Sequence, residues 1–338
     1  PAFNKGDLTG VGRILPQLFL DPRNNITRRI GRHDKGRNAT LARIRIGDGK
    51  EVEIPDQVRR LKRDTSTALQ EVLYPALDRL LETLGDDYLV QAPEAAGLYQ
   101  YPGGEAYYKY LIRRTTSLDL TPDQIHQMGL QAIEGIQQKM QATRQKLGFT
   151  GTAAEFHQQL RADKRFYASS PEEVEQRYQA YVDRIEPRLP EYFSQQPQTP
   201  YAVKRASPLV EGGMTFGYYH AGASGETGYY YYNGSNLDSR SMISAGFLIY
   251  HELAPGHHFH LSLVKENQQL SVYRRSVSMN AFAEGWANYA SHLAQEMGML
   301  DDPYDHYGWL LSNAFIAARL VLDTGLNHKG WSLEKASH

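Results

Sequence analysis

The 338-residue chain contains no cysteine. That excludes disulfides, thiolate metal ligands and a cysteine nucleophile. It also lacks a surplus of either charge: 37 Lys and Arg stand against 38 Asp and Glu, for a formal net charge of −1. No global field therefore points to nucleic acid or to a membrane surface, and neither is expected as a partner. No run approaches the ~20 apolar residues of a transmembrane helix. The chain opens on Pro1 with neither a charged start nor an apolar signal core, so it reads as a mature, trimmed or partial chain. The absence of cysteine fits an exported or periplasmic bacterial protein as well as a cytosolic one, and the compartment stays open. Internal repeats and low-complexity tracts are missing too.

What is present divides into three stretches. Residues 1–55 are poorly patterned. Eight Lys or Arg and a single acid, Asp34, lie between Arg23 and Arg45, which reads as a solvated surface segment since no aromatic platform accompanies the charge. Leu41 to Ile46 reads as a short strand and Gly47-Asp48-Gly49 as a turn. Residues 56–200 read as a helical domain. Pro75 is expected to kink or divide its first helix. Three helix starts carry cap signals: Thr121-Pro122-Asp123-Gln124, Thr152 to Glu155, and Ser170-Pro171-Glu172-Glu173. The helix after Thr121 is expected to bury Ile125, Met128, Ala132, Ile136 and Met140. Residues 201–338 read as a metal-binding catalytic domain. Its Gly- and Tyr-rich part, with Gly228 to Asn233 reading GYYYYN, predicts a small sheet. Helices follow from about Ser244, Met279 and Asp302. The second should show an apolar face of Phe282, Trp286, Tyr289, Leu293 and Met297 and the third should stop near Asp323. The final Trp331 to Ala336 reads as the first turn of a further helix and predicts more chain beyond it. The fold class is therefore mainly α, with a small β-sheet beside an active-site cleft.

The stretch that organises the rest is His251 to His260, HELAPGHHFH, with four of the chain's twelve histidines. A core has no use for so many rings that each need hydrogen-bond partners. Zinc and its first-row neighbours do use imidazole with carboxylate. In an HExxH helix the two histidines are i and i+4 and the glutamate is the general base. Here His257 and His258 stand at i+6 and i+7. On a regular helix His258 lies ~10.5 Å along the axis from His251, out of reach of one ion. Pro255-Gly256 is expected to break the helix and loop out two residues. His257 follows glycine, as in the shorter HExxGH pattern, and is favoured over His258 as second ligand. His258 and His260 then face the substrate or support the ligands. Glu284, in AEGWANY, is the candidate third ligand, with Gly285 beside it expected to let two helices pack closely.

HELAPGHH, AEGWANY and RLVLDTGLNHKGW together resemble the bacterial domain-of-unknown-function 885 family, over about Tyr99 to Trp331. The AEGWANY segment also resembles those of glutamate-liganded zinc metallopeptidases. The resemblance implies one Zn2+ held by His251, His257 and Glu284, often in an exported or lipid-anchored protein. It implies Glu252 as the base that activates a zinc-held water against a peptide or related small amide bond, and His328 as an oxyanion donor. Tyr231 is a second donor candidate. Arg319 either pairs with Asp323 or binds a substrate carboxylate. The tyrosine strand, with Tyr230 and Asn233, either pairs with an extended peptide or ends in an ordinary turn. Two other classes stand beside this reading: a non-haem iron enzyme using the His257-Phe259-His260 stretch with a carboxylate, and an inert binding protein.

Overall fold

The computed structural model describes residues 43–46, 50–53, 56–91, 93, 95–222 and 225–337. They fall into two units, Pro1–Glu94 and Ala95–His338. Most of the basic 23–45 stretch and the 47–49 turn lie outside the described residues.

In the first unit, β1 (Arg43–Ile46) pairs antiparallel with β2 (Lys50–Glu53). Helix α1 (Asp56–Ala68) passes through a π-helical turn, Leu69–Leu73, into α2 (Tyr74–Thr83). Pro75 sits at the start of α2 and has no N–H to give, so the wide turn before it takes up the broken ladder. A short helix, α3 (Asp86–Gln91), follows.

The second unit holds the rest: α4 (Gly104–Thr116), α5 (Pro122–Lys146), α6 (Ala153–Ala162), α7 (Pro171–Ile185), the one-turn α8 (Leu189–Tyr192), β3 (Tyr201–Arg205), β4 (Gly217–His220), β5 (Gly228–Tyr232), α9 (Ala245–Glu252), α10 (His257–Glu266), α11 (Val272–Ser276), α12 (Asn280–Glu296), α13 (Pro303–Asn327) and α14 (Leu333–Ser337). The expected boundary at residue 200 is not a domain boundary. Met140 of α5, Phe156 of α6 and Val182 of α7 share one core with Tyr230, Ile249, Trp309 and Leu310. Each such fully buried apolar side chain contributes about 1.5–3 kcal/mol.

Local signals built the helix starts. Thr121 and Thr152 each accept from the third helical N–H while Gln124 and Glu155 reach back, completing both boxes. At α7 Ser170 caps Glu173 N–H, but the Glu173 carboxylate takes the N–H and hydroxyl of Ser169 instead. Which face turns inward differs from expectation on two helices. On α5, Ile125 and Met140 are buried as expected, but Met128 is exposed and His126 and Gly129 join the buried stripe. A Cβ on Gly129 would stand 2.7 Å from Val321 Cγ2, so glycine lets α5 lie close along α13. On α12 Met297 is buried and Trp286 and Leu293 are half-buried, but Phe282 and Tyr289 are exposed, and Ala283, Ala287, Ala290 and Ala294 form the buried face.

Helix α13 also outruns its expected stop and continues through Gly325 to Asn327. The Trp331 ring occupies the space a side chain at 325 would need, with Cε3 2.5 Å from an ideal Cβ. This helix is apolar and long enough to cross a membrane by length and composition. Here it is a core helix that buries Tyr307, Trp309, Leu310 and Val321.

The sheet order is β3-β5-β4, β5 parallel to β3 and antiparallel to β4. The tyrosine-rich β5 is therefore the central strand. Both its edges are paired, so it cannot accept an added peptide strand. β3 and β4 are the edge strands.

Candidate metal centre

The helix that begins with Ala245 ends at Glu252, and a new one begins at His257. Four residues, Leu253 to Gly256, turn the chain between them, with a cis Ala254–Pro255 bond. Gly256 is required there. A Cβ at 256 would meet the His251 carbonyl oxygen at 1.8 Å. Trp286 of α12 fixes the turn by donating Nε1–H to the Pro255 carbonyl at 2.9 Å. The break brings the His251 and His257 rings to 4.8 Å between centroids, nearly perpendicular. Phe247, one turn earlier, packs against the His251 ring.

Glu284 completes the cluster. Its Oε2 lies 3.5 Å from His251 Nε2 and 3.6 Å from His257 Nε2. One ligand atom from each of the three residues falls within 4.8 Å of the others. A tetrahedral ion with bonds of 2.0–2.2 Å needs donor separations of about 3.4 Å, and the separations of Glu284 from the two histidines, 3.5 and 3.6 Å, are of that size. The alanine face of α12 explains the reach: it seats the helix close to α9, and Glu284 flanks that face. Gly285 has no part in it, since nothing lies within 4 Å of where its Cβ would be. The Glu284 side chain is 66% exposed, so the centre opens to solvent on that side. Its carboxyl is held well below the ordinary range by the two imidazoles. His257 is held above its usual value: burial alone would lower it, and Glu284 and Glu252 outweigh burial.

Glu252 stands beside the ligands. Its Oε2 accepts from Tyr219 N–H at 3.0 Å. Phe216 O accepts from Asn233 N, and Tyr218 stands opposite Tyr231. Antiparallel alternation then turns Gly217 and Tyr219 outward, toward α9. Burial raises the Glu252 carboxyl above the ordinary range, against the pull of His251, His257 and the Tyr219 N–H.

Other expected site residues lie elsewhere. His258 is fully buried and does not face a substrate. Its ring packs on Tyr201 and shares a hydrogen bond of 2.9 Å with the Tyr219 hydroxyl, and burial lowers its pKa to about 4. His260 packs against Phe282. Tyr231 points to the outer face of the sheet, among Tyr218, Tyr229 and His220. Tyr230 points inward, fully buried, and the nearby Glu252 and Tyr178 join burial in raising its phenol well above the usual value. Asn233 is a turn residue. It donates to Glu211 O and Met214 O and accepts from Ser235 N–H. His328 caps α13 with Nε2 3.5 Å from Asp123; no contact among the described residues joins it to the ligands. Arg319 is exposed over the Phe315 ring, while Asp323 accepts from the Tyr108 hydroxyl rather than pairing with Arg319. Sequence reasoning missed Tyr219, which carries no motif and reaches Glu252 only through the sheet.

Residues 23–338 match the family described as "Bacterial protein of unknown function (DUF885)". The chain belongs to the DUF885 family. A solved structure of a protein described as a lipoprotein from Colwellia psychrerythraea is similar at a TM-score of 0.77 and 31% identity, over 84% of this chain and 50% of that one. Another, described as a lipoprotein of unknown function from Shewanella oneidensis, is similar at 0.60 and 16% identity, over 83% and 53%; it bears on the fold alone. This DUF885 chain thus spans about half the length of the solved structures it matches. No curated protein matches it.

Proposed function

We propose that this DUF885 protein is a zinc-dependent hydrolase of peptide or related amide bonds. The observation that carries the reading is the meeting of His251, His257 and Glu284 within 4.8 Å, with Glu252 adjacent in sequence to the first ligand. A zinc ion on these residues supplies an acidified water and a Lewis acid for the amide carbonyl. Glu252, one oxygen fixed by the Tyr219 N–H, keeps the other for the proton, which it takes from water and returns to the leaving nitrogen. The outer edge of β4 favours an extended substrate: it has no strand partner, and Gly217, two residues before the Tyr219 N–H that holds Glu252, turns its main-chain groups outward, where a peptide can lie antiparallel. The likeness to proteins described as lipoproteins supports a place in the bacterial envelope, secreted or membrane-associated.

The test is to measure bound metal, then screen a short-peptide library with and without chelator. One zinc per chain and turnover abolished by chelation are expected. Glu252→Gln should keep the metal and lose turnover by about three orders of magnitude. Activity indifferent to chelation, or stoichiometric iron with oxygen-dependent turnover, overturns the reading.

A further inference from the structure

A polar cavity of about 680 Å³ opens beyond the end of β4. Its walls include Gln198, Thr199, Tyr219, Ser262, Lys265 and Glu266. Tyr219 belongs to both places: its N–H holds Glu252, and its hydroxyl bonds His258, the residue after ligand His257. One residue of β4 therefore separates the cavity from the catalytic base. A peptide lying along the β4 edge past Glu252 runs into this cavity.

The available chemistry of the walls is one-sided. Glu266 is turned to the neighbouring loop: it accepts from Gln198 N–H, Thr199 N–H and the Thr199 hydroxyl at 2.6–3.0 Å, chiefly through Oε1. Lys265 does not pair with it. Its ammonium donates to the neutral Gly222 carbonyl at 2.9 Å, and an ammonium has three protons to give. The Lys265 side chain is exposed, and Gln195 and Gln268 add amide donors to the same walls. The cavity thus offers a cation and neutral donors, and among the described lining residues the one carboxylate, Glu266, is engaged by Gln198 and Thr199.

We propose that this cavity is a substrate subsite for a carboxylate, held by Lys265 and oriented by the surrounding amides. The carboxylate comes either from the C-terminus of a short peptide or from an acidic side chain. This rests on the hydrolase reading above, and binding measured without turnover separates the two.

The experiment uses the zinc-loaded Glu252→Gln protein and calorimetry. The probes are acetyl-trialanine as free acid and as C-terminal amide, and the amides of acetyl-Ala-Ala-Glu and acetyl-Ala-Ala-Gln. A carboxylate preference of about tenfold in Kd is expected, the low end of a charge-assisted hydrogen bond. Free acid over amide identifies a terminal carboxylate; Glu over Gln identifies a side chain. Adding Lys265→Met should reduce the preference to within about twofold, and Lys265→Arg should retain most of it. Lys265 is exposed, so a thermal melt confirms that both variants fold. Equal binding of charged and neutral probes, a preference that survives Lys265→Met, or no binding at millimolar peptide overturns the subsite. If the preference is present while the wild type hydrolyses nothing, the subsite stands and the hydrolase reading falls. If the wild type shows chelator-sensitive turnover without any preference, only the subsite falls.

Discussion

Replacing Gly256 by alanine tests the break on which the metal centre depends. The new methyl group would sit 1.8 Å from the His251 carbonyl oxygen, 2.4 Å from its carbon and 2.6 Å from the Tyr250 carbonyl oxygen. All three are backbone atoms, so no side chain can swing away. Relief requires α9 and α10 to part by more than about 1 Å, and overpacking of this kind costs about 1–3 kcal/mol. The two helices carry one histidine ligand each. Metal sites tolerate about 0.2 Å in ligand distance, so His251 and His257 can no longer share an ion with Glu284. Zinc affinity should fall at least about a hundredfold, beyond the usual loss of a supporting contact. Competition against a chromophoric chelator measures the affinity, and a thermal melt of the metal-free protein reads the packing cost separately. A Gly256→Ala protein that binds zinc within twofold of wild type, with an unchanged melt, would refute the argument that the glycine closes this turn.

Gly285→Ala is the matched control. Nothing lies near its Cβ position, so the variant should bind zinc normally and gain about 0.5–1 kcal/mol from helix propensity, read in the same melt. Asn233→Ala removes the five hydrogen bonds that its side chain makes with Glu211, Met214, Thr215 and Ser235 in a buried turn and should lower stability by about 2–4 kcal/mol, roughly 5–15 °C in Tm. If instead Tm holds and KM rises, Asn233 is a substrate anchor after all. Glu211 gives a pH prediction. Burial alone would raise its carboxyl, but Arg205 and the Gly234 N–H outweigh burial and hold it below the ordinary value. Its contribution is therefore present above the unfolded carboxylate pKa of about 4.3 and lost as pH falls through the lower folded value. Glu211→Gln should flatten that part of the acid unfolding profile; an identical profile in wild type and variant counts against the pairing.

The features legible in the sequence are those written within one or two turns of chain. The threonine caps at Thr121 and Thr152, the divided helix around Pro75 and the interruption after Glu252 each depend on neighbours a few residues away. The pairing of His251 with His257 rather than His258 was legible for the same reason, since glycine at 256 sets the position of the next helix. Helix faces were harder. Phe282, Tyr289 and Met128 look like core residues by apolar size, yet close helix packing selects the smallest side chains. Ala283, Ala287 and Gly129 point inward because α9 and α13 come too near for anything larger. A periodicity argument that weights residues by hydrophobicity ranks those positions last.

The sheet shows a deeper limit. Five consecutive residues of β5 include four tyrosines, and the eye takes that strand for the functional one. What a strand can bind depends on its place in the sheet order. A central strand has given both rows of N–H and C=O groups to its neighbours, and only its side chains remain. β5 is central, so its tyrosines divide between the core and the outer face. β4 is shorter and less conspicuous, but its outer edge has no strand partner, and there the Tyr219 N–H meets Glu252 at the end of α9. Glu252 is consequently fixed by a main-chain N–H of Tyr219, thirty-three residues earlier, rather than by any side chain a motif would record. A strand-breaking change at the β4 edge, such as Tyr219→Pro, should release Glu252 and depress turnover while zinc remains bound, because none of the three ligands is on the sheet. Loss of zinc in that variant, with α9 and α10 still folded by circular dichroism, would mean that the sheet supports the ligands and not the base.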